Sequence, residues 1–179
     1  MNKNRREKLG IALVGLGTYS TEELGPALKE TVNCYLAGVV SGDAQKRLQW
    51  KTKHELKDEN VLTYDNFDNI AECQDIDIVY VALPNAMHAQ YVMRAAKAGK
   101  HVISEKPMAT TIDDCRKMIE ACKDAGVRLS LGYRLHFDPF NQEMMRLGQN
   151  ELLGPIKKIV AKYGFQHMTT VYDYEWKGN

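Results

Sequence analysis

Apolar and polar residues fall in blocks along this chain. Short apolar runs end at glycine, proline or asparagine, and segments with helical spacing follow them. The first run reads LGIALV from Leu9 to Val14 and stops at Gly15. A short run rich in branched residues predicts a strand buried on both faces. Further strands are predicted over residues 35–40, 61–64, 77–83, 101–104 and 127–131. Helices are predicted between them: from Ser20 to about Lys29, then 45–54, a short one at 69–72, 87–98 and 111–125. Thr21 or Ser20 is the expected cap of the first helix, and Gly25-Pro26 should kink or break it. Gly99 and Gly126 close two later helices, and Thr111 to Asp114 reads as a capping box.

Strands alternating with helices demand right-handed crossovers and a mostly parallel sheet. The fold class is therefore α/β, a Rossmann-type doubly wound parallel sheet. After Gly132-Tyr133-Arg134 the pattern changes. Asp138-Pro139 opens a helix, Gly154-Pro155 marks a turn, and residues 156–165 and 171–176 read as strands of a second unit. Residues 8–134 are expected to form the first domain. Residues 135–179 are expected to be the start of a truncated α+β second domain.

Composition narrows the function classes. The 179 residues carry a formal net charge of +1, and their cations are interleaved with acids, which speaks against a nucleic-acid stripe. No run approaches the roughly eighteen apolar residues of a membrane span. Cys34, Cys73, Cys115 and Cys122 have no C-x-x-C spacing, and the charged start MNKNRREK runs into the first strand without an apolar export segment. Both features fit a reducing, cytoplasmic setting.

The turn after the first strand reads Gly15-Leu16-Gly17-Thr18-Tyr19-Ser20, the dinucleotide pattern with Ser20 in its last place. Gly15 would allow the tight turn, Gly17 would let a pyrophosphate reach bare backbone, and a small residue at 20 would let helix and strand pack. Helix-opening N–H groups would then face the phosphates. The second strand ends at Ser41, with Asp43 two residues on and Lys46 and Arg47 downstream. Serine and lysine there favour a 2′-phosphate, whereas Asp43 either takes the ribose role typical of NAD sites or caps the next helix. Gly15, Gly17, Ser41, Asn85, His88, Glu105 and Lys106 all fall at carboxyl ends of predicted strands, where such sheets bind ligands.

Lys106 is the sharpest catalytic candidate. It follows a buried strand directly and precedes Pro107. A lysine partly desolvated beside a nicotinamide can move a proton near neutral pH. Glu105 could tune it or hold a ribose hydroxyl. No His, Cys, Asp or Glu group has metal-ligand spacing, and no G-x-S-x-G or Walker loop occurs.

The stretches IALVGLGTYS, VVSGDAQK, VYVALPNAMHAQYVMRAAKAGKHVISEKPMAT and GYRLHFDPFN resemble, in order, the N-terminal part of the glucose-fructose oxidoreductase / inositol 2-dehydrogenase (Gfo/Idh/MocA) family. Within it they are most similar to the glucose-fructose oxidoreductase branch. The resemblance implies that Gly15, Gly17, Thr18 and Tyr19 line the pyrophosphate of NADP or NAD. It implies that Ser41 and Lys46 hold the 2′-phosphate, and that Leu83, Asn85 and His88 lie near the nicotinamide half. Glu105-Lys106-Pro107 matches the E-K-P signature, whose lysine helps bind the sugar and relay protons, and Arg134 matches a cofactor-contacting position. The implied reaction is hydride transfer between nicotinamide and a sugar or polyol carbon, in a homo-oligomer. A non-catalytic nucleotide-sensing module is the alternative from another class; a sensor has no need of Lys106.

Overall fold

A computed structural model describes residues 8–152 and 154–160. These fall into two compact units that divide between Gly132 and Tyr133.

The first unit is built on a six-stranded parallel sheet in the order β3-β2-β1-β4-β5-β6. The strands are β1 (Leu9–Val14), β2 (Cys34–Val40), β3 (Val61–Leu62), β4 (Ile78–Val81), β5 (His101–Ser104) and β6 (Leu129–Leu131). Each matches an expected strand: β1 and β5 keep the expected bounds, β2 starts one residue earlier, and β3, β4 and β6 are shorter. The order reverses between β1 and β4, which opens a crevice beyond the carboxyl ends of these strands. Gly10 to Leu16 are all buried, as a central strand covered on both faces requires. Its side chains divide between two cores: Ala12 and Val14 pack with Val79, Val81 and Val92, and Ile11 and Leu13 pack with Val39 and Trp50.

One irregularity shapes the β1 and β2 pair. The register slips so that Ile11 faces Leu36 while Ala12 faces Gly38, leaving Ala37 as a bulge. The Ala37 carbonyl accepts instead from the buried Asn60 Nδ2 at 2.9 Å, so the bulged backbone keeps a partner.

The helices are α1 (Gly25–Glu30), α2 (Ala44–His54), α3 (His88–Lys97) and α4 (Ile112–Asp124). Pro26 does not break the first. A π-helical turn, Ser20–Leu24, runs directly into α1, and Gly25 N–H bonds five residues back to the Ser20 carbonyl. Neither Ser20 nor Thr21 caps it, because helical backbone already begins at Thr18. Asp43 caps α2, accepting from Lys46 N at 3.0 Å. Thr111 caps α4 by accepting from Asp114 N at 3.1 Å, and its hydroxyl donates to Asp114 Oδ2. No helix of the described residues is long and apolar enough to cross a membrane.

The second unit contains a 3₁₀ turn, Arg134–Phe137, and α5 (Pro139–Gln149), capped by Asp138. Neither buries a residue: Phe137, Phe140 and Met144 are 69%, 82% and 69% exposed. The strand expected from residue 156 is not formed over 156–160. The rest of that segment, and the strand expected at 171–176, lie outside the described residues.

Candidate functional site

The candidate site is assembled at the switch point between β1 and β4. Gly15 leaves β1 with φ of +92°, and a Cβ there would run into the Ala82 carbonyl and lie 2.9 Å from Leu83 Cδ2. The turn and the close approach both require glycine. Gly17 differs. It is exposed, its φ lies outside the left-handed region, and a Cβ there would meet nothing within 4 Å. Nothing in the chain itself forbids a side chain at that point. Thr18 and Tyr19, also exposed, begin the helix, and amides at a helix head lack a carbonyl one turn back.

Ser20 stands where the pattern has its third glycine. It is fully buried, and its hydroxyl donates to the Gly15 carbonyl at 2.6 Å. The serine therefore closes the turn while staying small enough for helix and strand to pack.

At the end of β2, Ser41 is 5% exposed and its Oγ accepts from Asp43 N at 3.2 Å. Arg47 Nη1 donates to the Ser41 carbonyl at 2.6 Å. The sequence pointed to Lys46 as the cation of this end, but Lys46 is exposed and Arg47 is the one anchored to the strand. Arg47 follows the cap Asp43 by one helical turn, the signal that places it above Ser41.

On the other side of the switch point, Glu105 and Lys106 follow β5, and the Lys106-Pro107 peptide is cis. Glu105 Oε1 accepts from the Tyr80 hydroxyl at 2.7 Å, and Oε2 accepts from Lys106 N at 3.2 Å. Burial pushes the Tyr80 phenol far above its usual range, and the adjoining Glu105 carboxylate adds to the shift. Tyr19, from the glycine-rich turn, reaches the same phenol. An aromatic in a strand reads as core, so the sequence alone does not single out Tyr80. Lys106 is exposed, and its ammonium has no ion pair among the described residues.

His88, which the resemblance sets in the loop near the nicotinamide half, is fully buried. Its Nδ1 lies 2.8 Å from the Pro107 carbonyl and its Nε2 lies 2.8 Å from the Leu83 carbonyl. The ring has no polar atom left for a ligand and joins two loops instead. Leu83 is half-buried against Gly15, and Asn85 is exposed at the start of a 3₁₀ turn before α3. Arg134 is exposed and opens the 3₁₀ turn of the second unit. Among the described residues no group of three or more His, Cys, Asp or Glu side chains could hold a metal ion.

Strand order 3-2-1-4-5-6, with a glycine-rich turn leaving the central strand, defines a dinucleotide-binding α/β domain. The chain belongs to the Gfo/Idh/MocA family: residues 9–133 match its model, described as an oxidoreductase family with an NAD-binding Rossmann fold. It is 34% identical over 129 residues to the D-xylose 1-dehydrogenase [NADP(+)] of Haloarcula marismortui, covering 72% of this chain and 36% of that protein. The crystal structure of aldose-aldose oxidoreductase from Caulobacter crescentus, complexed with glycerol, superposes with a TM-score of 0.79 at 42% identity, covering 80% of this chain and 43% of that one. Scyllo-inositol dehydrogenase from Lactobacillus casei, with bound NAD(H) and scyllo-inositol, gives a TM-score of 0.71 at 25% identity, covering 82% and 42%. The chain thus spans less than half the length of these relatives.

Proposed function

We propose that this chain is the cofactor-binding part of an NAD(P)-dependent oxidoreductase, NADP favoured, that moves hydride to or from a sugar or polyol carbon. The observation that carries the reading is Gly17. It is a glycine that the protein's own packing does not need, set where bare backbone lets a diphosphate approach. The names of the relatives support the same chemistry, since they include an NADP(+)-dependent xylose dehydrogenase and an inositol dehydrogenase with NAD(H).

In this reading Gly15, Gly17, Thr18 and Tyr19 hold the diphosphate. Ser41 donates to the 2′-phosphate, with Lys46 and the anchored Arg47 neutralising it. Leu83 and Asn85 bound the nicotinamide half, and Arg134 contacts the cofactor. The nicotinamide, when bound, supplies the hydride acceptor or donor. Lys106 hydrogen-bonds the reacting oxygen of the substrate and moves its proton. Glu105, held by Tyr80, fixes the loop that carries it. The exposed apolar residues of α5 and its flanks are taken as surface that a second domain and a homo-oligomer cover. The four thiols, free in the structure, suit a cytoplasmic setting. Turnover by these 179 residues alone is expected to be weak.

Fluorescence titration with NADPH and NADH tests the proposal. Both should bind, NADPH the tighter. A folded sample that binds neither would overturn it. If binding is intact and Lys106→Met changes no turnover in a protein extended by its second domain, the nucleotide-sensing module replaces the enzyme.

A further inference from the structure

Lys106 is exposed at its tip, yet the backbone that carries it is held on both sides. On the N-terminal side, the Tyr80 hydroxyl donates to Glu105 Oε1 at 2.7 Å. Gly132, at the end of β6, closes the same carboxylate from a third direction: a Cβ there would stand 2.6 Å from Oε1. On the C-terminal side, the Pro107 carbonyl lies 2.8 Å from His88 Nδ1, while His88 Nε2 lies 2.8 Å from the Leu83 carbonyl. Tyr80 belongs to β4 and His88 opens α3, so both holds come from the strand and helix that border the switch point.

We propose that Tyr80 and His88 are positioning residues for Lys106, two tethers that fix the Glu105-Lys106-Pro107 loop at the mouth of the crevice. The inference rests on the proposed oxidoreductase reading and deepens it. A lysine stem rotates freely, so the amine can be aimed only if its Cα is fixed. A misplacement of about 1 Å in a reacting group costs on the order of 100-fold in rate. Neither tether acts on a ligand directly. The Tyr80 hydroxyl is engaged by Glu105 and Tyr19, and both His88 nitrogens face backbone carbonyls. A neutral imidazole carries one N–H and an imidazolium two, so the hold on Pro107 requires hydrogen on Nδ1.

Three variants separate positioning from plain packing. His88→Asn keeps an amide donor near the Nδ1 position and loses the one near Nε2. His88→Gln does the reverse. Tyr80→Phe removes only the hydroxyl. Lysines are labelled by reductive ¹³C-methylation, and the Lys106 resonance is assigned with Lys106→Arg. In the unsubstituted chain this resonance should be dispersed from the other lysines and should move on adding NADPH. Tyr80→Phe and His88→Gln should collapse both effects, and His88→Asn should retain them. NADPH affinity should change by less than about threefold in all three, under one decade, because the diphosphate end is untouched. Unchanged Lys106 signals in Tyr80→Phe and His88→Gln would overturn the proposal. So would equal losses in all three variants in step with lowered melting temperatures. Long-range ¹H–¹⁵N spectra should show hydrogen on His88 Nδ1, and a bare Nδ1 would remove that tether. If the unsubstituted chain binds neither nucleotide, the oxidoreductase reading fails, while the tethers are still judged from Lys106 dispersion and the His88 spectrum, which need no cofactor.

Discussion

From Gly15 to Ser20 the crevice is bounded by backbone, and its shape follows from consecutive residues. The turn at Gly15, the bare approach at Gly17 and the inward serine at 20 all lie within one local stretch. From Glu105 to Pro107 the boundary is a loop whose place is fixed from afar. Tyr80 is 25 residues from Glu105, and His88 is 19 from Pro107. The first end is a shape that a short motif encodes; the second is a position that exists only once the sheet has formed. A diphosphate asks for shape and open N–H groups. A proton-moving amine asks for placement, and placement needs packing.

The sharpest way to break this contrast is at the two glycines. Gly17→Ala should leave the melting temperature nearly unchanged, since a Cβ there meets nothing within 4 Å. It should weaken NADPH by about 10- to 100-fold, as the blocked approach forfeits one charge-assisted hydrogen bond of ~1.5–3 kcal/mol. A large fall in stability would show that Gly17 serves the fold. Gly15→Ala should do the opposite. Left-handed strain and collision with the Ala82 carbonyl should cost about 3 kcal/mol in urea unfolding, before any effect on cofactor is counted.

A middle-sized effect is expected at the end of β2. Arg47→Ala should weaken NADPH about tenfold and leave NADH nearly unchanged, consistent with one lost phosphate contact of ~1.4 kcal/mol. Equal weakening of both would mean that Arg47 only braces the Ser41 carbonyl.

The smallest effect is a control remote from Lys106. Burial, then Lys29 and Lys53, push the His54 imidazole below its usual range. The unfolded chain therefore binds that proton more readily than the folded one. This contribution to stability is complete above about pH 6.5 and is lost as pH falls through the lowered folded value. His54→Gln should flatten the acid side of the stability profile by a few tenths of a kcal/mol, discounted for its partial exposure. Acid unfolding monitored between pH 7 and 5 checks it, and an unchanged slope would sink the assignment.

The legibility of this chain follows the same division. Strand β1 was readable because burial on both faces leaves an unbroken apolar run. The caps at Asp43, Thr111 and Asp138 were readable because they act over three residues. The π-helical turn at Ser20–Leu24 was not, because nothing in a glycine-proline pair distinguishes a break from a turn that widens to accommodate it. His88 is set near the nicotinamide half only through the family resemblance; its two carbonyl partners come from separate loops, one of them beyond the next strand, and spacing marks neither. Tyr80 stayed hidden for a related reason, since a side chain's partner on a neighbouring strand leaves no mark on spacing. The expected strand from residue 156 rested on local residue types, and a strand also needs a neighbour to pair with.

The strand order also governs how the chain is made. β1 emerges from the ribosome before the other five strands of this sheet, yet it sits in the middle of it. One flank must wait for β2, and the other for β4, which is preceded by a long stretch of chain. An apolar ribbon thus spends much of synthesis with an uncovered side, the condition in which nascent chains are most prone to stick to one another. Slowing translation just after β1 should lower soluble yield more than slowing it after β4.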